Sequence, residues 1–243
     1  MDFQRHHRGP RLTGPEALSL LLCLESIVVV GVLVLFGAAY PDRIRSRLWR
    51  NGGEEGWCSN PRLRIYFYAN YEEPPVIPLI WSQRLTTSNT AIAVLGLAIL
   101  FARITIAALR YEARRTNAGY DALLAVLWAL SAAAQNGADL SDPEHLMERP
   151  WYLVRGCDEA WSQNQGWCRM AKWEYAWAIL AAVFYAARIV GTLGVVVYEK
   201  GRRDGREADW EGEVRLLNGW AWDGDGGSGR VVRGGCEGVM RSI

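Results

Sequence analysis

The sequence is poor in the residue patterns that carry chemistry. It has three histidines. His6 and His7 lie in a basic N-terminal stretch, and His145 has no obvious second histidine or nucleophilic partner. There is no G-x-S-x-G, no phosphate-binding lysine loop, no H-E-x-x-H and no dinucleotide glycine fingerprint after a strand. The expectation is therefore a non-enzymatic protein with no catalytic residue, no cofactor and no metal site. The five cysteines include no C-x-x-C pair, which excludes zinc-ribbon and thioredoxin-like sites. N-x-S/T sequons are also missing, so N-glycosylation is not expected. An excess of one charge is absent as well: 27 basic residues face 26 acidic ones. That balance excludes a chain whose main work is neutralising nucleic-acid phosphates. Lysine is confined to Lys172 and Lys200, and the arginine bias carries no functional weight.

Long apolar runs are present in quantity. Mean hydropathy is only -0.04, because bilayer-length apolar segments alternate with polar loops. The first run, Ala17 to Tyr40, contains one charge, Glu25, and can cross a hydrocarbon core of about 30 Å. Basic residues before it and Gly37-Ala38-Ala39 near its end also permit a cleaved secretory signal, but signal cores stop at about 7 to 15 residues. Runs from Asn89 to Leu109 and Tyr175 to Tyr198 carry one arginine each, Arg103 and Arg188. Tyr120 to Asn136 is shorter in its apolar part and reads as a third span or a re-entrant helix. These readings define an all-α, four-helix transmembrane bundle. Its expected segments are a cytosolic N-terminus 1–16, TM1 17–40, outer loop 41–88, TM2 89–111, a short cytosolic loop 112–118, TM3 119–136, outer loop 137–170, TM4 171–198 and a tail 199–243.

Orientation follows the basic residues that flank each run. Arg110, Arg114 and Arg115 follow the second run, and Lys200, Arg202, Arg203 and Arg206 follow the fourth. Both termini are therefore expected in the cytosol, in a plasma or endomembrane. This topology puts Cys58, Cys157 and Cys168 on the oxidising side, where disulfides persist. Cys157 with Cys168 is the simplest pairing, while a bond from Cys58 to either of them or to another molecule stays open.

In the first outer loop, Arg43 to Trp49 and Arg62 to Tyr68 alternate with period two around Asn51-Gly52-Gly53, consistent with a small extracellular β-hairpin or an irregular loop. In the second, Asp139, Asp142, Glu144, His145 and Glu148 offer oxygen ligands but lack EF-hand spacing, so a solvated acidic loop is expected. Beyond Lys200, glycines including Gly224, Gly226, Gly227 and Gly229 predict a disordered tail, with Trp210, Trp220 and Trp222 as docking contacts.

Ionisable groups inside a bilayer are expensive and usually face protein. Glu25 lies about 12 Å along its helix from Ala17, Arg103 about 12 Å from Tyr111 and Arg188 about 15 Å from Tyr198, at 1.5 Å per residue. In alternating helices these depths coincide, so Glu25, Arg103 and Arg188 are expected to cluster, with Asp121 as a second acid. Separate snorkelling of the arginines, or a transport pathway, are the competing readings. Ala178, Ala182, Ala186 and Gly194 on the fourth run, and Ala125, Ala129 and Ala133 on the third, are small residues spaced for close helix packing within the chain or between molecules.

The chain resembles MARVEL-type tetraspan membrane proteins in Trp167-Cys-Arg-Met-Ala-Lys172 leading into the fourth helix. The Tyr120 to Asn136 helix with Trp128, and the Asp139 and Asp142 loop after it, add to the likeness. The resemblance covers roughly residues 17 to 198 and implies membrane organisation, without catalytic residues. Gly56-Trp57-Cys58 is similar to the first-loop signature of claudin-like proteins, whose second cysteine in that same loop is absent here. The expected function is a membrane scaffold whose partners are the bilayer and homo- or hetero-oligomers formed through the helices. The alternative is a small transporter, channel or accessory subunit that uses the Glu25, Arg103 and Arg188 layer.

Overall fold

A computed structural model describes residues 14–74, 76–109 and 114–220. Their helices are α1 (Gly14–Ala39), α2 (Arg45–Glu54), α3 (Arg64–Ala69), α4 (Gln83–Ala108), α5 (Arg114–Gln135), α6 (Trp151–Val154) and α7 (Gln165–Trp220). Four stretches are long and apolar enough to cross a membrane: Ser19–Ala39, Gln83–Ala108, Arg114–Gln135 and Gln165–Asp204. This is the architecture of an integral membrane protein. The chain divides into two compact units, Met1–Thr192 and Leu193–Ile243.

Within the first unit the buried positions of each long helix recur at steps of three and four. On α4 they include Thr86, Asn89, Ala93, Gly96, Leu100 and Arg103; on α5, Asp121, Leu124, Trp128, Ser131 and Gln135. On α7 they are Ala171, Glu174, Ala178, Ala181 and Tyr185, and on α1 Glu25, Val28, Val32, Phe36 and Ala39. That repeat averages about 3.5 residues, the seam of helices packed side by side along their length. The remaining surface of the same helices is exposed and apolar, as at Val34, Phe101, Val126, Leu130 and Val183. Such faces need a hydrocarbon solvent, and the bilayer supplies it.

A second core caps one end of the bundle. Ile44, which caps α2, and Leu48 and Trp49 within it pack with Ile80, Trp81, Met147, Trp151 and Tyr152. Trp49 and Trp81 stack with ring centroids 6.3 Å apart, and Trp81 meets Tyr152 edge-on at 6.2 Å. The Cys157–Cys168 disulfide joins the loop after α6 to the start of α7 inside this core.

The structure corrects several expectations. No β-strand occurs among the described residues; their sole bridge pairs Asp139 with Met147. The segments expected to form a hairpin are α2 and α3, because Ile44 with Leu48 and Arg45 with Trp49 are i,i+4 pairs that bury one face of a helix. Asn51-Gly52-Gly53 is not a turn but the buried last part of α2. The small-residue ridges do not pack together inside the bundle. Ala129, Ala133, Ala186 and Gly194 are exposed, Ala125 and Ala182 are half-buried, and Ala178 alone of the seven is fully buried. The inward positions of α5 and α7 are taken by Leu124, Trp128 and Tyr185 together with Ala171, Ala178 and Ala181. In the second unit, α7 stays helical to Trp220, where disorder was expected from residue 199. Lys, Arg, Glu, Ala and Leu at 12 of the 22 positions from 199 to 220 are good helix formers and outweigh the scattered glycines. Trp210 is exposed, whereas His6, His7, Trp222, Gly224, Gly226, Gly227, Gly229 and Cys236 lie outside the described residues.

Candidate functional site

The four long helices each contribute one charge to a single buried ring. Arg103 Nη1 of α4 donates to Glu25 Oε1 of α1 at 2.5 Å, and its Nη2 donates to Asp121 Oδ1 of α5 at 2.6 Å. Arg188 of α7 closes the ring, with Nη1 at 2.6 Å from Glu25 Oε2 and Nε at 3.2 Å from Asp121 Oδ1. Two carboxylates and two guanidiniums leave no formal charge. Arg103 also donates to the Asn117 carbonyl at 3.1 Å and lies over the Tyr120 ring, while Arg188 lies over Phe184. Glu25 is fully buried, and the Arg188 side chain retains 13% exposure. Lone charges at this depth would be driven out or neutralised; here each finds two opposite partners.

A second polar layer lies about 21 Å further along α4, the rise of fourteen residues. Ser131 donates to Asn89 Oδ1 at 2.7 Å, and Gln135 Nε2 donates to Ser131 Oγ at 3.2 Å. On α7, the same fourteen-residue step from Arg188 reaches Glu174, which faces Arg45 of α2 at 3.5 Å. Arg45 also donates to the Ile80 carbonyl at 3.1 Å and the Tyr152 hydroxyl at 3.4 Å. Between the layers the seam is apolar: Phe36 stacks on Trp128 at 5.6 Å, and Ala93, Leu124, Ala178 and Ala181 fill the remaining space.

Outside the spans, Asp139 ties the two long loops together. Its Oδ2 accepts from the Ser59 hydroxyl at 2.6 Å and the Trp81 indole at 2.8 Å, and its Oδ1 from the Ser141 hydroxyl at 2.7 Å. Asp142 pairs with His145 at 3.0 Å. Partial burial works to raise the Asp142 pKa, but donation from the Glu144 N–H and from His145 outweighs it and holds the carboxyl below its ordinary range. No group of three or more metal-ligating side chains occurs among the described residues. Cys58 is buried rather than available for a bridge, and burial, aided by the Asp139 charge, pushes its thiol up to about 12. Cys23, in contrast, is exposed on α1.

The residues singled out inside the apolar runs meet in this structure: Glu25, Arg103, Arg188 and Asp121 share one ring. Glu174, Arg45, Asn89 and Asp139 were not singled out for this role. For Glu174 a signal existed, because fourteen residues is four turns of a 3.5-residue seam and places it on the face of Arg188.

No family model matches the chain. A similar protein is "Kojic acid related protein 1" of Aspergillus oryzae, 30% identical over 133 residues. That match covers 53% of this chain and 51% of the relative, so it spans about half of each. No solved structure matches.

Proposed function

We propose that the protein is a non-enzymatic, tetraspan-type membrane scaffold whose charge ring locks four helices into one bundle. The observation that carries this reading is the closure of the ring: every charge is paired and the net charge is zero. A transport site normally keeps a charge for its cargo, and a pathway needs polar continuity, whereas an apolar plug separates the two polar layers here. Exposed small residues such as Ala129, Ala133 and Ala186 would serve contacts with other membrane helices, in homo- or hetero-oligomers. The basic residues after the second and fourth spans support cytosolic termini, in a plasma or endomembrane protein. The MARVEL resemblance points the same way through topology alone.

The second reading, a transporter, channel or accessory subunit, draws on one feature. Arg103 Nε and Asn117 Oδ1 are buried beside the ring without hydrogen-bond partners. The relative's name ties that protein to kojic acid without stating a reaction, and so selects neither reading.

Reconstitution separates the two. Glu25→Gln in proteoliposomes should lower the recovery of cross-linked oligomers and leave proton and solute flux at the protein-free level. Flux through the wild-type chain that disappears in Glu25→Gln would favour transport. Reporter tags in each loop check sidedness.

A further inference from the structure

Where α4 begins and α5 ends, a cavity of about 740 Å³ opens between the Val76 to Leu79 segment, Ser82 and Arg84 on one side and Ala138, Leu140 and Ser141 on the other. Its walls are apolar and unusually bare: Val76 is 88% exposed, Leu140 66% and Leu79 52%. Position defines its surroundings. Both flanking helices are membrane-length and reach their ends here, so the cavity lies where hydrocarbon gives way to headgroups.

Arg84 stands at the rim, exposed, and also borders an adjoining depression lined by Gln83, Thr87 and Ser88. Among the described residues its guanidinium has no ion-pair or hydrogen-bond partner. Arg45, Arg50, Arg62 and Arg155 are each committed to a glutamate, whereas Arg84, alone among the arginines, lines this cavity. Ser82 Oγ accepts the Arg84 N–H as the cap of α4, and its hydroxyl proton remains available to donate.

We propose that this cavity is a phospholipid site, with Arg84 and the Ser82 hydroxyl holding the phosphate and Val76, Leu79 and Leu140 lining the upper acyl chains. One cation above apolar walls at the membrane boundary matches an amphiphile with a phosphate head. A soluble peptide would not meet the apolar side of that boundary. The site does not depend on the scaffold reading, since either function leaves this end of the bundle against lipid.

Native mass spectrometry of the full chain in mild detergent tests the proposal, with added palmitoyl-oleoyl phosphatidylglycerol, phosphatidylcholine of the same chains, and the matching diacylglycerol as a phosphate-free probe. Both phospholipids should give a saturable first binding event that diacylglycerol does not give. Arg84→Ala should weaken that event about tenfold, the loss of one charge-assisted contact. Arg84→Lys, which keeps the charge, should stay within about threefold of wild type. Leu140→Asp on the facing wall should also weaken binding, and carries the test if Arg84→Ala melts early in lipid-free detergent. Equal binding of diacylglycerol, unchanged affinity in Arg84→Ala, or phospholipid retained only alongside a second protein would overturn it.

Discussion

Glu25 receives one arginine on each carboxylate oxygen, so removing its charge leaves Arg103 and Arg188 sharing Asp121 alone. Breaking a buried pair from one side costs about 3 to 5 kcal/mol, because an uncompensated charge remains. Glu25→Gln should therefore lower the unfolding temperature in detergent markedly. The charge-balanced double variant Glu25→Gln/Arg188→Gln should recover part of that loss, and an equal or larger loss would mean that packing, not charge balance, sets the stability. Cys58 gives a pH signature. Its thiol ionises near 9 when unfolded and near 12 when folded, so above pH 9 the unfolded state releases a proton that the folded state keeps. Stability present below that range should fall by about 1.4 kcal/mol per pH unit between the two values. The Tyr152 hydroxyl, raised by burial, acts in the same direction at higher pH. Cys58→Ala should flatten the first part of the alkaline slope in unfolding titrations. At this scale the ring residues were legible because ionisable groups in apolar runs stand out. Asp139 was not, because a carboxylate in an acidic loop looks solvated until its donors from distant segments are brought to it.

Helix contacts in this bundle depend on glycine where nothing larger fits. A Cβ on Gly31 of α1 would lie 2.5 Å from the Trp177 ring of α7. Overpacking of this kind costs about 1 to 3 kcal/mol, so Gly31→Ala should destabilise the bundle, and Gly31→Ala combined with Trp177→Ala should cost less than the sum of the two single variants. Gly52 makes a sharper case. Helix propensity alone favours Gly52→Ala by about 1 kcal/mol. Yet its Cβ would meet Trp151 at 2.5 Å and Cys58 Sγ at 2.8 Å. Destabilisation is the expected sign, and a rise in unfolding temperature would show that the Trp151 ring gives way. The long helices were legible from apolar length and spacing. α2 was not, because Arg43 to Trp49 satisfies a period of two as readily as 3.6, and only the core it packs against selects between them.

The first unit holds two cores, one within the membrane helices and one formed by the loops at one end, and both include α1 and α7 residues. Cys157–Cys168 closes a short loop into the second core. A bridge of this kind contributes about 3 kcal/mol by limiting the unfolded chain. The double variant Cys157→Ser/Cys168→Ser should therefore lose stability by about that amount, as should reduction under denaturing conditions. Because Cys168 is fully buried, mild reductant should leave the folded protein unchanged on nonreducing gels. The exposed apolar faces of the four helices mark the whole molecule as one that folds in lipid, and transfer to water without detergent should aggregate it.

The four membrane-length apolar segments, and the singling out of Glu25, Arg103, Arg188 and Asp121, follow from sequence alone, because bilayer thickness and the expense of burying charge act on local sequence. Which partner each charge takes, that the ring closes without excess charge, that α2 is a helix, and which small residues face the seam were decided by tertiary structure. Those outcomes depend on which faces of distant segments meet, and period and hydropathy within one segment do not contain that information.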